Sequence, residues 1–291
     1  MQDIYLAIGM MILLSVGVFA LGLALVAQAP RRLCDILGLL IVLVMLIYIR
    51  EVWDDPILVK LFPVSSVIIL GNWFPLMTAL LAAIAWRRVP GQIVRRGTCV
   101  AALFGVGLYS LVFPLEGSPP QCGNKWQQRI SLQTTHATCS PACAATLLTA
   151  RGIPATEQEM AELCLTREGT YWQGLYRGLK LKTQGTPWDV AVVSGTIDEI
   201  RALNCTPVIL TVGLPDGREW ERRYPKDWGW VPGKLHSVVL LRFDSDGNVS
   251  IGDPAVGFEE WTMDELRILW RGIGLCLVPR QEAGRFSPPQ S

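Results

Sequence analysis

Three features are scarce or missing in this sequence, and each argues against a class of function. There is no G-x-x-x-x-G-K-[ST] sequence, so the chain carries no P-loop ATPase of its own. The net charge of +1 indicates no particular partner, and no basic patch with interleaved aromatic residues occurs, so a nucleic-acid partner is not expected. Only two histidines, His136 and His236, are present. A zinc site from Cys139, Cys143 and a histidine is conceivable, but no second ligand pair has zinc-finger spacing, so we predict neither a metal nor a cofactor.

Charge is also nearly missing from residues 1–115. Apolar residues make up 51% of the 291 residues, which is more than an ordinary soluble domain contains, and near-continuous apolar runs are confined to this part. Ile4 to Pro30 has no charged residue, and at about 1.5 Å per residue it spans roughly 40 Å, enough to cross a ~30 Å hydrocarbon core. A cleaved signal peptide is the alternative, but Met1-Gln-Asp3 offers no positive n-region and the apolar stretch is too long.

Three further apolar runs predict an α-helical membrane bundle of about four spans. Leu61 to Trp86 and Thr98 to Leu115 are each long enough to cross a lipid bilayer. Ile36 to Ile49 is shorter and crosses only with its flanking residues, so a re-entrant or interfacial segment is the alternative there. Because the spans hold few polar residues beyond Asn72 and Ser65-Ser66, we interpret the bundle as an anchor rather than a transporter.

The loop charges predict how this bundle lies in the membrane. Arg31-Arg32 follow the first apolar run, four arginines between residues 87 and 96 follow the third, and the loop after the second run, Glu51 to Asp55, is acidic. Cytoplasmic loops carry an excess of Lys and Arg, so both arginine loops are assigned to the cytoplasm. The chain is therefore predicted to be a multi-pass protein of a bacterial inner membrane, with everything after Leu115 extracytoplasmic.

A short polar segment that runs into a helix contains the candidate nucleophile. Cys139 lies where this helix should begin, and Pro141 fits its first turn. The first N–H groups of a helix have no intrahelical partner and carry the positive end of the macrodipole, so a thiol placed there is shifted toward the nucleophilic thiolate. The side-chain amide of Gln133, six residues upstream, could fold back and donate to a developing oxyanion.

A candidate base and its orienting group lie about 100 residues further along the chain. His236 opens a predicted buried strand, Leu235 to Phe243, and Asp253 follows seventeen residues later in Gly-Asp-Pro-Ala. A hairpin of that length brings Asp253 beside His236 on the neighbouring strand. His136 precedes Cys139 by three residues, and we predict a structural or incidental role for it.

These motifs resemble those of the C39 peptidases, which are papain-like cysteine proteases that clip double-glycine leaders from bacteriocin-type peptides. The resemblance covers about residues 128–278 and rests on the Gln133, Cys139 and Ala142-Cys143 opening and on three later segments, His236-Ser-Val-Val-Leu240, Asp253-Pro-Ala-Val-Gly257 and Trp270-Arg-Gly272.

The resemblance implies a role for each of four residues. Cys139 would be the nucleophile, His236 the base, Asp253 the residue that orients the imidazole, and Gln133 the oxyanion donor. Thr138 and Ser140 depart from the family pattern, which usually has an acidic residue before the cysteine and a glycine after it.

The predicted organisation has four parts. Transmembrane helices in residues 1–115 are followed by a linker in 116–124 that is rich in Gly, Ser and Pro, an α+β papain-like cysteine peptidase domain in 125–280, and a disordered tail in 281–291. Within the domain, Leu214 to Lys234 is a long aromatic segment that contains Trp220, and we interpret it as a flap beside the active site or as a contact with the membrane interface.

The resemblance implies a membrane-anchored cysteine peptidase that acts on a peptide or protein substrate, with a separate transporter as a candidate partner. Two alternatives stay open: a catalytically silent C39-like domain that binds peptides for a transport or sensing machine, and an acyl- or amide-transfer enzyme that uses the same triad. Retention of all four residues favours the enzyme. An extracytoplasmic domain would also face oxidising conditions, where Cys122 and Cys164 are the first candidates for a disulfide.

Overall fold

The computed structural model of the chain describes residues 1–216 and 223–282 and divides into two compact units, Met1–Glu116 and Gly117–Ser291. Residues 283–291 of the predicted tail and Trp220 of the predicted aromatic segment lie outside the described residues. The first unit is entirely helical, and the second combines helices with an antiparallel sheet.

The first unit contains four helical stretches that are long and apolar enough to cross a membrane, which confirms the predicted number of spans. Its α-helices are α1 (Gln2–Val26), α2 (Arg31–Ile47), α3 (Ile57–Leu61), α4 (Val67–Leu70), α5 (Phe74–Arg88) and α6 (Ile93–Val112). A π-helical turn extends the second stretch to Val52. The second span is therefore longer than its apolar core suggested, because the helix also takes in the charged residues at both ends.

The third apolar run, Leu61 to Trp86, does not form one continuous helix. Helix α4 ends at Leu70 and α5 begins at Phe74. The Tyr48 hydroxyl donates to the Gly71 carbonyl and accepts the Trp73 N–H at 3.2 Å, while the Asn72 amide donates to the Ser110 carbonyl at 2.9 Å. Broken backbone at membrane depth is tolerated only where neighbouring groups satisfy its N–H and C=O groups. The Tyr48 side chain thus satisfies backbone groups of the break, and Asn72 in the break bonds to α6.

The second unit begins with a small hairpin and three helices. The hairpin strands are β1 (Lys125–Gln127) and β2 (Ile130–Leu132), and the helices are α7 (Cys139–Ala150), α8 (Glu157–Leu163) and α9 (Trp172–Lys182). Residues Ser140 to Leu148 of α7 are all buried, and most of them are small or apolar. A helix that is apolar on all sides must be enclosed, and α7 is packed among α8, α9, β2 and the main sheet.

The main sheet has six antiparallel strands in the order β3-β8-β4-β5-β6-β7. The elements are β3 (Trp188–Ser194), α10 (Ile197–Leu203), β4 (Val208–Gly213), β5 (Leu235–Phe243), β6 (Asn248–Asp253), β7 (Gly257–Thr262), α11 (Met263–Leu269) and β8 (Trp270–Pro279). The predicted α+β architecture is confirmed. Short α10 and α11 begin with complete capping boxes, in which Thr196 pairs with Glu199 and Thr262 with Glu265.

Strand β7 was not predicted from the sequence. Its centre is Phe258-Glu-Glu-Trp261, and two adjacent glutamates are unusual in a strand. The strand forms because it lies at the edge of the sheet, where it hydrogen-bonds to β6 on one side. Charged residues are common on edge strands, since they discourage pairing with another chain.

The disulfide suggested for Cys122 and Cys164 is wrong for this structure, in which all eight cysteines are free. Cys164 is buried beside Gly178 and its thiol points to the Leu175 carbonyl, whereas the Cys122 thiol points to the Pro120 carbonyl. The two thiols therefore contact different neighbours. The cysteines that do lie in hydrogen-bond contact are Cys205 and Cys276, both in the core of the sheet.

The break at Gly71 to Trp73 yields a stability prediction. Tyr48→Phe removes the hydroxyl that serves both backbone groups and leaves them buried without that partner, at a cost of about 1–3 kcal/mol. We expect the melting temperature of the full chain in detergent to fall by several degrees. Tyr5→Phe is the matched control, since Tyr5 is 63% exposed. Equal melting temperatures for the two variants would show that the Tyr48 hydroxyl does not support the break.

Candidate active site

Cys139 is the first residue of α7, as the sequence predicts. The chain enters the helix through a tight turn at residues 135–138, which is closed by the Thr138 side chain. The Thr138 hydroxyl accepts the Thr135 N–H at 3.2 Å and donates to the Thr135 carbonyl at 3.1 Å. Thr138 is fully buried in this turn. The threonine at this position therefore has a structural role, and it presents Cys139 at the helix tip, where this residue is partly exposed.

His236 and Asp253 are joined by a short hydrogen bond between neighbouring strands. His236 is the second residue of β5 and Asp253 is the last residue of β6. The imidazole Nε2 lies 2.8 Å from Asp253 Oδ1, and the Ala255 N–H donates to the same oxygen at 2.7 Å. Asp253 is 0% exposed, so this bond is shielded from water. The carboxyl group thus fixes both the ring orientation and the nitrogen that carries the proton.

The same imidazole lies close enough to the Cys139 thiol for the two groups to shift each other's pKa through hydrogen bonding and charge. Because Nε2 is engaged with Asp253, Nδ1 is the nitrogen left for the sulfur. The structure therefore brings together Cys139, His236 and Asp253, which come from a helix tip and two strands.

Burial and charge act in opposite directions on the two reactive groups. Burial alone raises the pKa of the Cys139 thiol, but the bond to His236 and its charge, the Ser237 backbone N–H and the Ser140 hydroxyl together lower it below its usual 9.0. Burial lowers the pKa of His236, yet the charge and hydrogen bond of Asp253, with a further contribution from Cys139, raise it to about 10. At neutral pH these directions favour a thiolate paired with an imidazolium.

The neighbouring cysteine behaves differently, although it lies one helical turn away. Burial and the nearby Cys139 and Asp253 raise the pKa of Cys143 well above its ordinary value. Its thiol donates to the Ser237 carbonyl at 3.2 Å. Cys143 is thus held as a protonated, packed thiol one helical turn from Cys139.

Gln133 lies next to the site but is not hydrogen-bonded to Cys139 in the described part of the chain. Its backbone N–H donates to the Pro254 carbonyl at 2.8 Å, which ties it to the turn that follows Asp253. Its side-chain Nε2 donates to the Thr135 carbonyl at 3.2 Å, and its buried Oε1 has no partner within the described residues. One amide N–H therefore remains for another acceptor.

Aromatic side chains pack beside His236, and the sequence did not predict which ones would do so. Trp230 packs against the imidazole with ring centroids 4.9 Å apart, and its backbone N–H donates to the Tyr224 carbonyl at 2.9 Å. Trp228 stacks on Trp261. The described end of the predicted aromatic segment thus lies beside His236, in line with the first of its two interpretations. The spacing of its aromatic residues gave no sign of which one would face the histidine.

Two residues singled out in the sequence lie apart from this arrangement. His136 is exposed in the turn before α7. Trp270 donates its indole N–H to the Gly195 carbonyl at 2.8 Å, a structural contact. No group of three His, Cys, Asp or Glu side chains is arranged to hold a metal ion within residues 1–216 and 223–282.

Comparison with known proteins adds one family match. The Peptidase_C39 like family matches residues 126–274, which is 149 residues and just over half of the chain. No curated protein matches the chain.

Several solved structures are similar at low identity. One is a double-glycine motif protease from an AMS/PCAT transporter in complex with its leader peptide, at 16% identity and a TM-score of 0.40, covering 52% of this chain and 90% of that one. The peptidase domain of Streptococcus mutans ComA is 20% identical with a TM-score of 0.36, covering 52% and 99%. The peptidase domain of Streptococcus ComA, a bi-functional ABC transporter involved in quorum sensing, is 18% identical with a TM-score of 0.39, covering 51% and 96%.

The ionisation of His236 can be measured directly, because the chain has only two histidines. In NMR titrations of the full chain labelled at histidine carbons, we expect His236 to stay protonated up to a pKa of about 10. Asp253→Asn should lower this pKa most, because Asp253 raises it more than Cys139 does, and Cys139→Ala should lower it less. His136→Gln identifies the second resonance. A His236 pKa that is the same with and without Asp253 would contradict the electrostatic coupling.

Proposed function

The chain belongs to the Peptidase_C39 like family, and from that premise we propose that its second unit is a cysteine peptidase that cleaves peptide bonds in a peptide or protein substrate. The first unit anchors it in a lipid bilayer. The observation that carries the proposal is the convergence of Cys139, His236 and Asp253, with a His236–Asp253 bond of 2.8 Å and with His236 and the thiol close enough to shift each other's pKa.

The geometry supports acylation of Cys139 by the substrate. The thiolate attacks the carbonyl carbon, a C–S bond forms, and the C=O electron pair moves to oxygen. The Cys139 backbone N–H, at the helix start, and the second amide N–H of Gln133 donate to that oxygen. His236 then transfers its Nδ1 proton to the leaving amine as the C–N bond breaks, while Asp253 holds Nε2–H.

Hydrolysis of the thioester reverses the roles of the same groups. Neutral His236 takes a proton from water through Nδ1, and the resulting hydroxide attacks the carbonyl carbon. The C–S bond breaks, Cys139 leaves as thiolate, and the acid product dissociates. The thiolate–imidazolium pair is restored, so no co-reactant other than water is required.

The first test separates an activated site from an ordinary one. We expect iodoacetamide to alkylate Cys139 faster than the other cysteines at pH 7, because the thiolate fraction controls the rate. His236→Ala should slow this reaction by about tenfold or more, since losing the imidazolium raises the pKa of the thiol and so lowers the thiolate fraction at pH 7. His136→Ala, the matched control, should leave the rate unchanged. Equal rates at all cysteines would remove the case for an activated thiolate.

Peptidase activity itself separates the enzyme from a silent peptide-binding domain. Proteomic comparison of peptide N-termini should show cleavage products in cells that express the wild-type chain and none in cells that express Cys139→Ala. Fast alkylation of Cys139 without any product that depends on Cys139 would identify the silent alternative.

We also propose that the second unit is extracytoplasmic. In the first unit, Arg88 at the end of α5 pairs with Asp35 at the start of α2, with Nη2 and Oδ2 3.2 Å apart. This pair shows that the α1–α2 and α5–α6 connections lie at the same end of the bundle. Arg31, Arg32, Arg87 and Arg95 are exposed at that end. A single arginine-rich end of the bundle supports its placement in the cytoplasm.

Reporter fusions test this orientation. A reporter that is active only outside the cytoplasm should be active when fused after Leu115 and inactive when fused at Gly91, in the connection between α5 and α6. The two fusions control for each other because they differ by one span. The opposite pattern would overturn the assignment.

A further inference from the structure

Two serines connect the helix that carries Cys139 to the strand that carries His236. Ser140 directly follows Cys139, and Ser237 directly follows His236. Their hydroxyl oxygens are 2.8 Å apart, and each residue is only 6% exposed. The Cys143 thiol also donates to the Ser237 carbonyl at 3.2 Å. Helix α7 and strand β5 are therefore joined at Ser237 by two polar contacts. These contacts lie next to Cys139 and His236, the proposed reacting groups.

The hydroxyl pair also reaches the sulfur. Ser140 Oγ lies 4.0 Å from Cys139 Sγ, within the range of a hydrogen bond to sulfur, and the Ser237 backbone N–H points to the same atom. A serine hydroxyl has one hydrogen to donate and lone pairs to accept with. The hydrogen of Ser140 can therefore go to the sulfur only if Ser237 donates to Ser140.

A negatively charged sulfur favours the arrangement in which Ser237 donates to Ser140 and Ser140 donates to the sulfur. A hydrogen bond to an ionised acceptor is stronger than one between neutral groups, so a thiolate at Cys139 draws the Ser140 hydrogen toward itself. Ser237 then donates to Ser140, and the two bonds in series polarise each other in a buried, low-dielectric setting. The direct role belongs to Ser140, and Ser237 acts through it.

We propose that Ser140 and Ser237 are positioning residues that hold the Cys139 sulfur against His236 and stabilise its thiolate through a two-hydroxyl relay. This inference rests on the proposed function, because it assigns the relay to the nucleophile of that reaction. The relay predicts that the two serines have effects of different size. Loss of Ser140 removes the hydroxyl that donates to the sulfur, whereas loss of Ser237 removes only the hydroxyl that donates to Ser140.

The test is the pH dependence of Cys139 alkylation by iodoacetamide, measured with the full chain in detergent. We expect Ser140→Ala to move the midpoint upward by about one pH unit, which is about tenfold in rate below the midpoint. Ser237→Ala should move it less, and the double variant should match Ser140→Ala, since Ser237 acts through Ser140. Ser237→Thr retains the hydroxyl in a residue suited to a strand and should restore the wild-type midpoint.

Ser250→Ala is the matched control, because Ser250 is a fully buried serine in the adjacent strand β6 that donates to Asp244 Oδ2 at 2.8 Å. It should leave the midpoint unchanged. The relay is overturned if Ser140→Ala shifts the midpoint no more than Ser250→Ala does, or if the two single shifts add in the double variant. Should Ser140→Ala not fold, the comparison of Ser237→Ala with Ser237→Thr decides, since equal midpoints for these two overturn the relay.

This experiment also separates the relay from peptidase activity. A midpoint that depends on Ser140 supports the relay even where no peptide is cleaved, and in that case the proposed function fails alone. A midpoint that depends on His236 but not on either serine, together with cleavage that depends on Cys139, overturns the relay and leaves the proposed function in place.

Discussion

The bond between His236 Nε2 and Asp253 Oδ1 is the interaction on which the site depends. An imidazolium enclosed by a helix tip, a sheet and a tryptophan would lose its proton to burial, because a low dielectric disfavours charge. The buried carboxyl group reverses that outcome and raises the pKa of His236 to about 10. The charged ring in turn lowers the pKa of Cys139, so the thiolate depends on a carboxyl group that does not touch it.

The contrast between Cys139 and Cys143 links the direction of the thiol pKa shift to position within the helix. Both lie on the same buried helix, and burial raises the pKa of both thiols. Cys139 is at the helix tip, where His236, the Ser237 backbone and the Ser140 hydroxyl lower the pKa of its thiol. Cys143 is one turn inside, where its thiol donates to the Ser237 carbonyl, an acceptor that favours the neutral thiol. A shift of one helical turn therefore separates a candidate nucleophile from a packing residue.

The sequence was informative where a structure is set by local pattern or by motif spacing, and uninformative where it depends on packing between distant residues. The start of α7 at Cys139 and the approach of Asp253 to His236 could be predicted, because each follows from spacing at a helix start or within a hairpin. The break after Leu70 could not, since it requires the Tyr48 hydroxyl from another helix. The contact between Ser140 and Ser237 joins residues 97 positions apart, and no local signal marks it.

A thiolate on the proposed extracytoplasmic side must avoid being captured by a neighbouring thiol, because disulfide formation starts from thiolate attack. Cys143 is the thiol nearest in the helix, and both its raised pKa and its bond to the Ser237 carbonyl keep it protonated and packed. The contact that secures α7 on β5 therefore also restrains the one thiol close enough in sequence to compete for Cys139, so the same packing that positions the nucleophile protects it.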